Sequence, residues 1–263
     1  MWLMAVSVPL LSAVIFASSR YRVNISTLWH HVHSWALRLL RGRVCVTSTH
    51  AFVFSTCTHG NADSVIQAFD LYSETHPSLC IGPHMGEALD EVMRRVRPSE
   101  VLELGMHVGY SSVRLLRLLP PAGRLITVEC DPFTAALGEE IILVAGFKYS
   151  QFCVLTCTST EAIPKLKMDP VVRTNPGSSK GFSVVLMDHD PQQYLPDLMS
   201  LETMKLLCPS GCTILLINQN QRAEDLRETL DYIRSKPDCY CINTELHRMI
   251  EVFYHHEDAR AED

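Results

Sequence analysis

The sequence predicts an α/β fold: a single, mainly parallel sheet with helices on both faces, preceded by an N-terminal membrane anchor. Three observations carry that expectation. From about residue 60, apolar strand-like runs alternate with amphipathic helical stretches, an order that favours parallel pairing and a sheet covered on both sides. The run EVLEL leads into a glycine-bearing turn, GMHVG, and then a helical stretch. Residues 1–19, MWLMAVSVPLLSAVIFASS, hold no charged side chain.

That first stretch is about the minimum length for a membrane-spanning helix. Arg20 and Arg22 follow at once, and the positive-inside tendency keeps the side that carries them cytosolic. The expectation is an uncleaved signal anchor in the endoplasmic reticulum or a related membrane, with the main domain facing the cytosol. FASS offers small residues for a cleaved signal peptide, but no basic n-region precedes the apolar run. Residues 20–48 form a basic linker. Within it, LWHHVHSWALRLLRGR spaces Leu28, Val32, Trp35 and Leu39 helically and clusters Arg38, Arg41 and Arg43 at its end. Such a helix either lies on an anionic membrane surface or packs on the domain. All three tryptophans, Trp2, Trp29 and Trp35, lie in this front end, as suits a membrane interface. The sequon Asn24-Ile25-Ser26 sits hard against the apolar segment and is read as chance.

The main domain is expected over residues 49–256. SVIQAFDLYSETH and MGEALDEVMRRV read as helices, EVLEL as the first strand and SSVRLLRLL as the next helix. RLITVE and FTAALGEEIILVAG form a strand–helix pair, followed by the strand FCVLTC and the short helix TEAIPKLK. After a Pro/Gly/Ser-rich loop, about 169–181, come the strand FSVVLMD, the helix LPDLMSLETMKLL, the strand CTILLIN and the helix AEDLRETLDYIRS. YCINTE and MIEVFYH close the domain as strands, and residues 257–263 are an acidic tail.

A hydrophobic content of 47% and a charged content of 20% suit a folded domain rather than a disordered chain. The net charge of −6 argues against a nucleic-acid partner, which usually meets a basic face. Ten cysteines include no C-x-x-C pair and sit mainly in apolar runs, so they read as small buried thiols in a reducing compartment.

In VLELGMHVGYSS, Gly105 permits a tight turn and Gly109 follows four residues later. Glu103 precedes the turn and Glu129 ends the next strand, where an acid can accept hydrogen bonds from a ribose diol. The G-x-G-x-x-G spacing of nicotinamide sites is absent here. E-x-G-x-x-x-G with a second acid is the pattern of Rossmann-like methyltransferases that use S-adenosylmethionine.

VLELGMHVGYSSVRLLRLLPPAGRLITVE, AGF, AIPKLK, VVLMDH and YLPDLMSLE, in that order, resemble the catechol O-methyltransferase family from about residue 55 to the last strand. The apolar front end is similar in kind to that of the family's membrane-bound form and of the related, hearing-linked transmembrane O-methyltransferase. The resemblance implies a Rossmann-like class I methyltransferase fold and methylation of a catechol or catecholamine hydroxyl by S-adenosylmethionine. It also implies Mg²⁺ on both catechol oxygens and a lysine as general base.

By resemblance, Ile81 and Gly82 match the loop over the methionine part, and Glu103, Gly105, Tyr110 and Ser111 match the first turn. His107 replaces a tyrosine in that turn. Glu129 matches the ribose acid, Cys130 replaces a methionine beside the adenine, Ser159 matches an adenine-side serine and Thr160 replaces a glutamine. Asp188 matches an aspartate of the cofactor and metal site. His189 also matches, as an adenine contact or as a structural histidine. The other two metal ligands fall on Asn218-Gln219, where the family has Asp-Asn; with one charge gone, Mg²⁺ binding is expected to be weak or absent.

The acceptor side departs further. Pro191 occupies the lysine position and leaves the catalytic base unknown, with His84 and Asp190 as substitutes. Asp190 replaces a pocket tryptophan, and Pro77 and Leu79 replace a tryptophan and a methionine. Gln219 and Glu245 complete the acceptor pocket, Glu245 as the carboxylate for the second hydroxyl. Two functions follow from the resemblance. One is a methyltransferase for a small phenol or catechol. The other is a membrane-anchored scaffold that keeps the fold and acts through a membrane-protein partner.

Overall fold

A computed structural model describes residues 45–76, 80–168, 181–218, 223–246 and 248–255. The expected anchor 1–19, the linker up to residue 44 with its sequon and amphipathic stretch, Pro77, Leu79, the loop 169–180, Gln219 and the tail 257–263 lie outside these residues. Among the described residues, no helix is long and apolar enough to cross a membrane. The chain divides into two units, Met1–Cys45 and Val46–Asp263, and the sheet and its crevice belong to the second.

Helix α1 covers residues 45–56 and buries Val46, Thr49 and Val53. Helix α2 (Ala62–Thr75) starts at Asn61, whose side chain accepts from Ser64 N at 3.0 Å. Helix α3 is Gly82–Val96. Strand β1 (Glu100–Leu104) then leads to α4 (Tyr110–Leu118), and β2 (Arg124–Glu129) to α5 (Pro132–Val144), which Asp131 caps. Strand β3 (Phe152–Thr156) precedes α6 (Ser159–Met168). Thr158 and Glu161 bond each other's backbone N–H there, a reciprocal capping box. Strand β4 (Val184–Met187), a single 3₁₀ turn (Pro191–Gln193) and α7 (Tyr194–Thr203) follow. Strand β5 (Cys212–Ile217), α8 (Ala223–Ser235), β6 (Tyr240–Leu246) and β7 (Met249–Tyr254) complete the order.

The seven strands run β3-β2-β1-β4-β5-β7-β6. The first five are parallel, as the alternation of elements requires. β7 turns back between β5 and β6 and pairs antiparallel with both, an inversion that the strand composition does not specify. β1 is buried throughout because both its faces are covered. Its side chains alternate: Val101 joins the core under α1–α5, and Leu102 and Leu104 join the core under α6–α8.

One expectation is corrected. Of the ten cysteines, only Cys208 and Cys212 are buried. Cys153 is half-buried because β3 is an edge strand, and Cys130 and Cys241 are exposed.

This strand order makes a crevice. β1 and β4 lie side by side, yet the chain leaves them in opposite directions, towards β2 and β5. Ligands of open α/β sheets bind beyond the carboxyl ends of strands at such a reversal.

Candidate active site

The carboxyl ends of β1 and β4 are locked together. Asp188 N donates to Leu104 O at 2.8 Å. Gly105, with φ 98°, runs so close that an added Cβ would stand 2.2 Å from Asp188 O, so only glycine fits. Gly109, with φ 87°, then turns the chain into α4.

Glu103 and Glu129 flank this turn. Glu103 is fully buried and accepts from Ser112 Oγ at 2.5 Å and Thr127 Oγ1 at 2.6 Å through one oxygen; Oε1 has no hydrogen-bond partner. Burial pushes its carboxyl above the usual carboxylate range, against the pull of the Ser111, Ser112 and Thr127 hydroxyls. Glu129 is 7% exposed and is held at both oxygens by backbone N–H groups, His107 N to Oε2 and Asp131 N to Oε1, each at 3.0 Å. Cys130 Sγ lies 3.6 Å from the same Oε1.

His107 is one of the few non-glycine residues in the left-handed region, with φ 49°. Its Nε2 lies 2.8 Å from Asp188 O and 3.7 Å from Asp188 Oδ2. Burial would lower this imidazole's pKa, but Asp188 and Glu129 outweigh it and hold the group above its usual value. Tyr110 and Ser111 are both buried at the start of α4. The Tyr110 hydroxyl donates to Asp70 Oδ1 at 2.6 Å, and burial followed by that bond pushes the phenol up. Ile81 is buried just before α3, and Gly82 beside it has φ 78°. Ser159 is half-buried and Thr160 exposed at the start of α6.

The β4 end is shaped by Tyr194, which is wholly buried. Its hydroxyl lies 2.7 Å from Met187 O and from Ile217 O, so it joins the ends of β4 and β5. His189 Nε2 is 2.8 Å from Asp197 Oδ2, and its ring packs 4.9 Å from that of Tyr194. This pairing gives His189 a positioned, structural role, one of the two open readings. Asp190 and Pro191 belong to the 3₁₀ turn: Asp190 Oδ1 accepts from Gln192 N at 3.1 Å, and Pro191 begins the turn. His84 is exposed on the first turn of α3. Asn218 follows β5, with its N–H donated to Arg248 O at 2.8 Å. Glu245 lies on β6 opposite Ile250, and Leu79 and Gln219 lie outside the described residues.

The structure therefore gathers Glu103, Gly105, His107, Tyr110, Ser111, Glu129, Cys130, Asp188 and His189 around the crevice. It adds Ser112, Thr127, Asp131, Tyr194 and Asp197, which sequence reasoning missed. A signal existed for Thr127, which stands in register with Glu103 on the neighbouring strand. None existed for Asp197, eight residues from His189 along the chain.

These residues fit S-adenosylmethionine. Glu129 is oriented by two backbone amides as an acceptor at the end of β2, and Glu103 is a second, buried acid beside the glycine turn. They do not fit Mg²⁺ as well. Asp188 already faces His107, Asn218 supplies a neutral amide, and Mg²⁺ relies on carboxylates held open to it.

A family described as O-methyltransferase matches residues 69–207. Catechol O-methyltransferase of Mus musculus is 37% identical over 183 residues, which span 69% of this chain and 65% of that protein. Transmembrane O-methyltransferase of Homo sapiens is 34% identical over 213 residues, spanning 80% of this chain and 70% of that protein. Among solved structures, the SAH-bound methyltransferase of Podospora anserina superposes with a TM-score of 0.58 at 16% identity, over 78% of this chain and 92% of that one. The likeness places the seven-stranded sheet in the Rossmann-like class I methyltransferase fold. The chain belongs to the O-methyltransferase family that contains catechol O-methyltransferase and the transmembrane O-methyltransferases.

Proposed function

We propose that the chain uses S-adenosylmethionine to methylate a hydroxyl of a catechol, a catecholamine or a similar small phenol. The observation that supports this most is Glu129, whose carboxylate is aimed and held by His107 N and Asp131 N where a ribose would bind. The bound cofactor supplies an electrophilic methyl group. Ile81 and Gly82 cover its methionine part, Glu103, Gly105, His107, Tyr110 and Ser111 build the floor, and Asp188 closes the β4 side. Cys130, Ser159, Thr160 and His189 surround the adenine. By the family resemblance, the acceptor positions are Leu79, Asp190, Gln219 and Glu245. Residues 1–19 anchor the protein in the endoplasmic reticulum or a related membrane, with the domain on the cytosolic side.

In this reading the acceptor's proton has no side-chain base at the family's lysine position, because Pro191 holds it. Such a base contributes on the order of 10²–10⁴-fold. Turnover is accordingly slow and depends on how much acceptor is already ionised.

One observation favours a second reading. Asp190 and Pro191 are spent on the 3₁₀ turn, so the chemical half of the site is built for structure. A membrane-anchored scaffold acting through a membrane-protein partner accounts for that. Labelled S-adenosylmethionine and dopamine, with and without Mg²⁺, alongside a titration with S-adenosylhomocysteine, separate the two. Methyl transfer to dopamine supports the enzyme. Cofactor binding without transfer to any small phenol supports the scaffold.

A further inference from the structure

The metal question has an answer in the geometry around Asp188, and it deepens the methyltransferase reading of the same crevice. Asp188 is 5% exposed and its backbone is fixed, since its N–H is donated to Leu104 O at 2.8 Å. The Gly105 turn is pressed against it so closely that no Cβ could be inserted. Across this narrow gap stands His107. Its backbone N–H is held by Glu129 Oε2 at 3.0 Å, and its Nε2, as the N–H donor, bonds Asp188 O at 2.8 Å. The same nitrogen is 3.7 Å from Asp188 Oδ2. Both ends of the residue are therefore tied, one to the ribose acid and one to the aspartate. On the β5 side, Asn218 brings an amide, and its backbone is bound to Arg248 O.

A Mg²⁺ ion demands near-octahedral oxygen ligands at about 2.0–2.1 Å and keeps several waters. A cation on the Oδ2 side of Asp188 would meet the imidazole edge, whose Nε2 stands 3.7 Å from Oδ2 with its N–H bonded to Asp188 O. The neutral ring already supplies that N–H, so the obstruction needs no charge on His107. We propose that His107 stands beside Asp188 where a divalent cation would sit, so that no such cation shares the crevice with the cofactor.

The test is binding of Mn²⁺ to the intact protein in detergent, with free Mn²⁺ read by electron paramagnetic resonance. Wild type is compared with Asn218→Asp, His107→Gly and the double variant. Glycine accepts the positive φ of position 107 without strain, and thermal melting confirms that each variant is folded. Wild type is expected to leave Mn²⁺ free at about 1 mM, whereas the double variant binds it. His107→Gly is expected to tighten binding in the Asn218→Asp background by about tenfold or more, the size that neighbours of metal ligands command. Mn²⁺ bound by wild type below about 1 mM, and released by Asp188→Asn, overturns the proposal. A double variant no tighter than Asn218→Asp overturns it too, since His107 is then not the obstacle. A parallel titration with S-adenosylhomocysteine in chelator keeps the readings apart: failure to bind it strikes the methyltransferase reading, while the Mn²⁺ result still decides the metal.

Discussion

Replacing Glu129 with alanine tests the cofactor half of the site most directly. Two effects are expected, and the structure separates them. In the free protein, His107 N and Asp131 N each lose an acceptor at 3.0 Å. Both lie in turns at the crevice mouth, where water partly replaces the carboxylate. The fold should therefore lose about 1–2 kcal/mol, the low end for bonds to a charged group. In the complex, a ribose diol loses the carboxylate that accepts from it. That should cost about 1–3 kcal/mol of affinity, or roughly 5–150-fold in Kd. Glu129→Gln keeps the shape and one acceptor oxygen but drops the charge, and should fall between wild type and alanine. Calorimetric titration with S-adenosylhomocysteine gives the affinities, and urea unfolding gives the stabilities. An alanine variant that is folded and binds with unchanged Kd refutes the assignment of Glu129 to the ribose, whatever happens to its stability.

Tyr194→Phe removes the hydroxyl that lies 2.7 Å from both Met187 O and Ile217 O, and should lower stability by about 1–2 kcal/mol in urea unfolding. Asp90→Asn should cost more. Asp90 is buried, accepts from Arg114 Nη1 at 2.9 Å and also bonds Arg117, and its loss leaves the buried Arg114 with Asp70 at 3.7 Å. About 3 kcal/mol is expected, the lower end for breaking a buried pair, again by urea unfolding. Gly105→Ala should abolish S-adenosylhomocysteine binding and lower the melting temperature, because its Cβ would meet Asp188 O at 2.2 Å. Glu202 predicts a pH dependence. Burial opposes its ionisation, but bonds from Tyr232, Lys236 and Tyr240 outweigh burial and hold its carboxyl below the usual range. A lowered folded-state pKa gives stability that is present above the unfolded value, about 4.3, and lost as pH falls through the folded value. Glu202→Gln should therefore be less stable than wild type near neutral pH, with the gap closing on acidification below about pH 4.3, as thermal melts across pH will show.

Most of the fold was legible because its parallel half is written in local patterns. RLITVE is β2 residue for residue, and α4 begins at Tyr110 because Gly109 supplies the left-handed residue before it. The antiparallel end was not legible. YCINTE and MIEVFYH read correctly as strands, but nothing in either says that the second lies between the first and β5. That placement is decided by long-range pairing of Met249–Tyr254 against Cys212–Ile217, and strand composition carries no partner label. Cysteine burial failed for a related reason. An apolar run predicts a strand but not whether it is central, and FCVLTC became the edge.

The site divides the same way. Its cofactor half is formed by backbone geometry close in sequence to the strand ends, so Glu103, Gly105 and Glu129 stood out by motif spacing and Asp188 by family resemblance. The side chains that set the state of those groups come from elsewhere: Ser112 and Thr127 on Glu103, Asp197 on His189, Tyr194 across β4 and β5. His107 is the instructive case. As a letter it was one substitution in a turn. In three dimensions its positive φ and its two bonds put it between Glu129 and Asp188. One residue thus touches both acids, through its backbone N–H to Glu129 and through its side chain to Asp188. On the proposal above, the neutral amide of Asn218 and the imidazole of His107 act in the same direction, since each disfavours a divalent cation beside Asp188.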